Sequence, residues 1–321
     1  MQYRKMGKSG VRLSCLGVGS YLTIGMKMDD AASREVVRFA YDNGINYFDT
    51  ADAYNKGQAE ISLGKILADF PRSSIFLLTK LFWPMGPGPN DRGLSAKHVR
   101  ESCEASLKRL RMDYVDLLMC HRPDPDTPLE ETIRAMDNLA QQGKIIYWGV
   151  SEWPPVLIQQ AQSVAAQMNA RAMGVSQPRY SLLWREPEKE LFPLTMREGI
   201  GNVTFSPLAH GTLTGKYLPG RPAPAGTRAA DPETNSVIMS MYWKEEQKRA
   251  SQEFVKIAAE SGVTAAQLAA AWCLRRPEVT SVILGISRLE QLKENLKAVE
   301  IQIPPEVLKK LDALFPATAA T

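Results

Sequence analysis

The sequence predicts an α/β protein, a (β/α)8 TIM barrel with a short N-terminal β-hairpin and an additional C-terminal helix. Three observations carry this. Short apolar runs alternate with longer helix-period segments along the whole chain, eight such units fit within its 321 residues, and most of the runs end on a polar or ionisable residue. Strict alternation of β and α with continuous apolar strands implies a parallel sheet covered by helices. Eight repeats at this length are what a closed barrel requires.

The elements read in order as follows. Gln2 to Met6 with the turn GKSG is a hairpin arm, and Val11 to Val18 is the first strand. A helix from Asp30 to Asn43 stops at Gly44, where a left-handed residue closes the last turn. Then come a strand at Ile45 to Phe48, a helix at Gln58 to Asp69 and a strand at Ser74 to Thr79. Ser95 caps a helix that runs to Leu110. Tyr114 to Cys120 is a strand, Leu129 to Gln142 a helix stopped by Gly143, Ile145 to Val150 a strand and Pro155 to Met168 a helix. Met173 to Ser176 and Asn202 to Phe205 are strands flanking a helix at Glu188 to Arg197. Leu208 to Asn235 is irregular and rich in Gly, Pro and Ala, too long for an ordinary connection and therefore a candidate lid. Helices at Lys244 to Ser261 and Thr264 to Arg275, a strand at Val279 to Leu284, and helices at Leu289 to Val299 and Pro304 to Leu314 complete the chain. No linker interrupts the pattern, so residues 1–321 read as one domain.

A doubly wound open sheet is the rival fold. Its dinucleotide fingerprint needs a third glycine opening a helix after the first strand. Here the stretch is Gly17-Val18-Gly19-Ser20-Tyr21-Leu22: Leu22 takes that place and no helical pattern begins there.

Composition narrows the function classes. The chain is 44% hydrophobic and 23% charged, with a formal net charge of +4. Its densest basic cluster, Lys108 to Arg111, falls on a helical pattern and reads as a solvated face, not a nucleic-acid footprint. The four cysteines form no C-x-x-C pair and sit in apolar or helical stretches, as expected of free thiols in a reducing compartment. No run approaches the ~18 apolar residues of a membrane span, and no apolar leader follows the polar N-terminus, so a cytoplasmic protein is expected.

Barrel enzymes place their chemistry at the C-terminal ends of the strands. Those ends are Asp49 after NYF, Lys80 after FLLT, His121 after LLMC, Ser151 after YWGV, Gln177 after GVS and Ser206 after VTF. A lysine closing an apolar run needs a partner, and Asp49 on the neighbouring strand is the obvious one. Tyr54, five residues past Asp49, reaches back over the mouth, where the Lys80 ammonium is expected to lower its pKa and make it a general acid. His121 could hydrogen-bond a substrate carbonyl. Alone, each residue has a plain structural reading: an ion pair, a core histidine, a packing tyrosine. Together at consecutive barrel positions they point to catalysis.

Other chemistries fit poorly. There is no H-E-x-x-H and no cysteine pair for zinc, no G-x-S-x-G elbow, and Gly7-Lys8-Ser9 lacks the earlier glycine of a phosphate-binding loop. Asp49 beside Lys80 would stay ionised and makes a poor acid for glycoside cleavage.

The chain resembles the aldo-keto reductase superfamily, in particular the branch of the voltage-gated potassium channel β-subunits and their bacterial relatives. The motifs are FDTADAY (48–54), LLTKLFW (77–83), HRPDPDTPLEETIRAM (121–136), GKIIYWGVSEW (143–153), FSPLAHGTLTGKY (205–217), QLAAAWCLRRP (267–277) and GISRLEQLKENLKA (285–298). The resemblance covers almost the whole chain. It implies a barrel binding NADP(H) in an extended pose, with Asp49, Tyr54, Lys80 and His121 as the catalytic tetrad. Tyr54 would protonate the carbonyl oxygen, Lys80 would tune Tyr54, and Asp49 would hold Lys80.

It also implies the cofactor contacts. Ser151 and Gln177 match positions that bind the nicotinamide amide, and Phe205 the aromatic that stacks on the ring. Ser206, Pro207, Leu208, Thr214 and Lys216 match the pyrophosphate side, with Arg228 as a basic residue of the same loop, so that 208–235 becomes a cofactor-covering loop. Gly285, Ser287, Arg288, Gln291, Glu294 and Asn295 match the adenosine end, where Arg288 favours a 2′-phosphate and hence NADPH. Glu152 stands where many members have Asn and the channel subunits Arg. His121 stands where the channel subunits carry Asn, which points to a working reductase. Tyr21, Leu22, Trp83, Trp153, Tyr180 and Trp184 either line the substrate mouth or pack. An aromatic mouth suits aldehydes and ketones of moderate size. The competing expectation is a nucleotide-loaded regulatory subunit of a membrane channel or transporter, with little turnover. Relatives often form homo-oligomers.

Overall fold

In the computed structural model, which describes residues 1–317, eight parallel strands close into a barrel. They are β3 (Leu16–Gly19), β4 (Tyr47–Asp49), β5 (Phe76–Leu81), β6 (Val115–Cys120), β7 (Ile145–Ser151), β8 (Val175–Gln177), β9 (Gly201–Thr204) and β10 (Val279–Gly285), each bonded to the next, with β10 returning to β3. Ahead of them, β1 (Tyr3–Lys5) and β2 (Arg12–Ser14) form an antiparallel hairpin.

The run from Val11 to Val18 is therefore two strands. The chain breaks at Cys15, sending Arg12–Ser14 to the hairpin and Leu16–Gly19 to the barrel. The hairpin plugs the N-terminal end of the barrel: its Met6 and Leu13 pack into the interior with Val203 and Ile283. Gly7, with φ +56°, lies so close to the backbone that a Cβ there would collide with the Gly199 carbonyl, so only glycine lets the hairpin seat.

Helices α1 (Asp30–Asp42), α2 (Gln58–Leu67), α3 (Ala96–Leu110), α4 (Leu129–Gln141), α5 (Pro155–Gln167) and α6 (Leu191–Glu198) follow successive strands. Ser95 caps α3 as expected, accepting from the His98 N–H at 3.2 Å, and Asp29 caps α1 in the same way. Past β9 come short 3₁₀ turns at Ala209–Thr214 and Arg228–Ala230, then α7 (Ser236–Met241), α8 (Glu245–Glu260) and α9 (Ala265–Leu274). The small helix α7 is not legible in the apolar pattern. After β10 the expected single helix divides into α10 (Leu289–Asn295) and a 3₁₀ turn, Leu296–Glu300, before α11 (Pro305–Leu314).

Side chains of a strand alternate between faces. The outward residues join the helices in one large core. The inward ones form a separate stack of Tyr47, Phe76, Leu78, Leu117, Met119 and Val175. Two residues further along each inward row lie Asp49, Lys80, His121 and Gln177. The polar mouth is thus the next storey of the apolar stack, and Lys80 sits within β5 instead of just after it.

Candidate active site

Lys80 is fully buried. Its Nζ lies 2.6 Å from Asp49 Oδ1, 2.9 Å from the Thr50 carbonyl oxygen and 3.2 Å from the Tyr54 hydroxyl oxygen. An ammonium has three N–H donors, and each has an acceptor here. Asp49 is shared: Gln177 Nε2 donates to its Oδ2 at 2.7 Å, and the Tyr47 hydroxyl lies 3.4 Å away. Because the Tyr54 oxygen accepts from Lys80, its own proton is left to point elsewhere.

The electrostatics correct one expectation. The Tyr54 phenol is held well above its ordinary pKa, by burial first and then by the Asp49 carboxylate. The Lys80 ammonium, paired with Asp49 at contact distance, does not offset this upward shift. Burial in turn lowers the Lys80 pKa against the opposing pull of Asp49. His121 is pushed well below its usual value by burial, then by the charges of Lys80 and Arg122. Its imidazole is neutral, and its Nδ1 has no hydrogen-bond partner among the described residues. The Tyr54 and His121 rings meet edge to face at 5.7 Å.

A strained turn fixes Tyr54. Asn55, Lys56 and Gly57 all have positive φ. The turn is pinned from behind by α2 and α3. Arg109 Nε binds Glu60 Oε2 at 2.6 Å, Thr79 Oγ1 donates to Glu60 Oε1 at 2.5 Å, and Ser102 Oγ donates to Asp52 Oδ2 at 2.8 Å. Asp52 donates its backbone N–H to the Lys80 carbonyl at 3.0 Å. Burial, then Glu60, pushes the Asp52 carboxyl up to about 7. Glu60, Thr79 and Ser102 gave no signal in the sequence, since each sits on its own within a helical or apolar pattern; Asp52 lies inside the motif at 48–54, and Arg109 of the basic cluster at 108–111 turns inward to Glu60 instead of facing solvent.

The residues expected at the mouth divide. Tyr21 is 39% exposed with its ring 5.0 Å from that of Tyr54, and Trp83 is 38% exposed with its ring 6.2 Å from His121. Trp184 is also exposed, with the Arg179 guanidinium 5.2 Å from its ring. Leu22, partly buried, takes a positive φ of 61°. Trp153 and Tyr180 belong to the packed core instead. Tyr180 is wedged between Phe192 and Trp272 and hydrogen-bonds Glu188, which removes it from the mouth.

On the side expected to take a cofactor, Ser151 Oγ donates to the Gln177 carbonyl at 3.1 Å. Phe205 packs against the interior stack, with the Arg179 guanidinium 5.8 Å from its ring. Ser206 has a positive φ, and Ala209, His210 and Gly211 form a left-handed turn beyond it. The pKa of Lys216 is depressed, by desolvation first and then by the charges of Arg228, Arg288 and Lys27. Lys27 pairs with Asp231. Lys216, Arg228 and Arg288 have no carboxylate within ion-pair distance among the described residues. Three unanswered cations converging on one loop fit an anion with several phosphates. Next to them Ser287 donates its N–H and Oγ–H to Gln291 Oε1, and the buried Asn295 Oδ1 has no partner.

The fold and the site together describe a parallel barrel that carries a buried Asp–Lys–Tyr–His cluster at the C-terminal ends of its strands. The comparisons agree. The family model of the aldo/keto reductase family matches residues 15–315. A protein of Arabidopsis thaliana described as a probable voltage-gated potassium channel subunit beta is 43% identical over 320 residues, 98% of this chain and 97% of that one. Its counterpart in Oryza sativa subsp. japonica is 43% identical over 319 residues, covering 98% and 96%. The chain belongs to the aldo/keto reductase family, a family of oxidoreductases. Among the described residues no single helix is long and apolar enough to cross a membrane.

Proposed function

We propose that the protein reduces aldehydes and ketones to alcohols with NADPH, Tyr54 acting as the general acid. The observation that carries this is the way Lys80 spends its three donors. With Asp49, Thr50 and the Tyr54 oxygen as acceptors, the phenolic proton is free to point into the mouth.

A carbonyl oxygen would lie between the Tyr54 hydroxyl and a ring N–H of neutral His121. The high resting pKa of Tyr54 keeps the acid loaded at neutral pH. As the proton leaves, the hydrogen bond that the Tyr54 oxygen already accepts from the ammonium 3.2 Å away becomes charge-assisted at both ends, so it strengthens toward the transition state. NADPH, when bound, supplies the hydride to the carbonyl carbon. Ser151, Gln177 and Phe205 would hold its nicotinamide end. Ser206, Pro207, Leu208, Thr214, Lys216 and Arg228 would hold the diphosphate, and Gly285, Ser287, Arg288, Gln291, Glu294 and Asn295 the adenosine. Tyr21 and Trp83 form the aromatic wall for substrate. The protein would work in the cytoplasm on small carbonyl compounds, without nucleic-acid partners.

The relatives' descriptions favour a second reading, a nucleotide-loaded subunit of a membrane channel with little turnover. Absorbance at the nicotinamide band separates the two. Steady NADPH consumption over many turnovers with activated aldehydes supports the enzyme. A single stoichiometric round followed by a stall supports the regulatory subunit.

A further inference from the structure

Two arginines stand at the barrel mouth, and their charges are answered differently. Arg179 is paired with Glu152: its Nη2 lies 3.3 Å from Oε2, and its backbone N–H donates to Oε1 at 2.7 Å. Arg122 has no carboxylate within ion-pair distance among the described residues, and its one hydrogen bond goes to the carbonyl of the preceding residue, His121, at 2.5 Å. Glu152, the acid whose charge bears on it most, is already committed to Arg179.

The position of Arg122 is informative. Its guanidinium lies 5.7 Å from the centre of the half-exposed Trp83 ring, which itself packs edge-on against His121. It is close enough for its charge to be felt by Tyr54, Lys80 and His121. A partly desolvated guanidinium with most of its five donors free calls for an anion. A planar carboxylate matches a single guanidinium in a bidentate pair.

We propose that Arg122 is the specificity-determining residue of this site and selects carbonyl compounds that carry a carboxylate. The carboxylate binds beside Trp83 while the carbonyl oxygen lies between Tyr54 and His121. This rests on the reductase reading above. It commits to a carboxylate over a phosphate because the second mouth cation, Arg179, is already neutralised. A dianion would find only one free partner.

The test uses 3- and 4-carboxybenzaldehyde against their methyl esters, which keep the ring and the position of the aldehyde and remove the charge. The readout is the ratio of kcat/KM for acid over ester within each protein, so a change in folded fraction cancels. Wild type should favour the acid by about 10- to 100-fold, the range of one charge-assisted pair. Arg122→Gln should bring the ratio to about one, with the loss in KM, and Arg122→Lys should restore part of it. A wild-type ratio at or below one, or a preference that survives Arg122→Gln, overturns the assignment and leaves the reductase intact. Calorimetric titration of the NADP-loaded protein with benzoate and methyl benzoate reads the same site without turnover. Benzoate binding that vanishes in Arg122→Gln supports the anion site even if no aldehyde is reduced, in which case it is the reductase reading that fails.

Discussion

The Lys80 ammonium lies 3.2 Å from the Tyr54 hydroxyl oxygen while its other two donors are held by Asp49 and the Thr50 carbonyl. The pair is linked by a hydrogen bond whose direction leaves the phenolic proton unclaimed by Lys80.

Removing the ammonium should cost stability as well as chemistry. Lys80→Met leaves the Asp49 carboxylate buried with only Gln177 and Tyr47 beside it. An uncompensated buried charge costs about 3–5 kcal/mol. Urea unfolding should show that loss, and the double variant Lys80→Met/Asp49→Leu should recover a large part of it.

The turn that carries Tyr54 depends on Gly57. Its φ is +87°, and a Cβ there would stand 2.7 Å from Cδ of Arg109, which is held by Glu60. Gly57→Ala should destabilise the fold by about 1–3 kcal/mol in urea unfolding and lower turnover more than it lowers cofactor affinity.

Acidification acts through a partly buried, neutral histidine. Burial, then Arg228 and Arg179, pushes the His210 pKa down to about 3. The unfolded chain takes a proton on this residue below about pH 6.5, whereas the folded chain does so only near pH 3. Unfolding therefore binds a proton in that window, so the stability His210 contributes is complete above it and falls as the pH drops through it. The difference in unfolding free energy between wild type and His210→Asn should be flat above pH 7. It should shift against wild type by up to about 1.4 kcal/mol per pH unit below about pH 6. A difference independent of pH would mean that His210 is free to protonate in the fold.

Arg288 has no carboxylate partner among the described residues, and the proposed role for it is to hold the 2′-phosphate. Arg288→Ala should weaken NADPH binding by about 10- to 100-fold and leave NADH binding nearly unchanged in a fluorescence titration. Equal weakening of both cofactors would remove that role.

Much of this was legible in the sequence because a barrel strand writes its layers at a spacing of two. Leu78 and Lys80, or Met119 and His121, show that an apolar inward row ends on an ionisable residue. Three things escaped it. The break at Cys15 did, because hairpin and barrel strand are equally apolar and only pairing separates them. The sign of the Tyr54 shift did, because a list of neighbours does not say that Lys80 is already paired with Asp49 at 2.6 Å or that burial and the Asp49 charge both push the phenol up. The place of Tyr180 did, because an aromatic next to a strand end can face the mouth or the helices, and packing against Trp272 decided it.

The most direct test is NADPH-dependent aldehyde reduction by Tyr54→Phe, with cofactor affinity measured in parallel. The phenyl ring keeps the packing against Tyr21 and His121 and removes only the proton donor. Turnover should fall by about 10²-fold or more while NADPH binds as before. Wild-type turnover by the variant would show that the acid lies elsewhere.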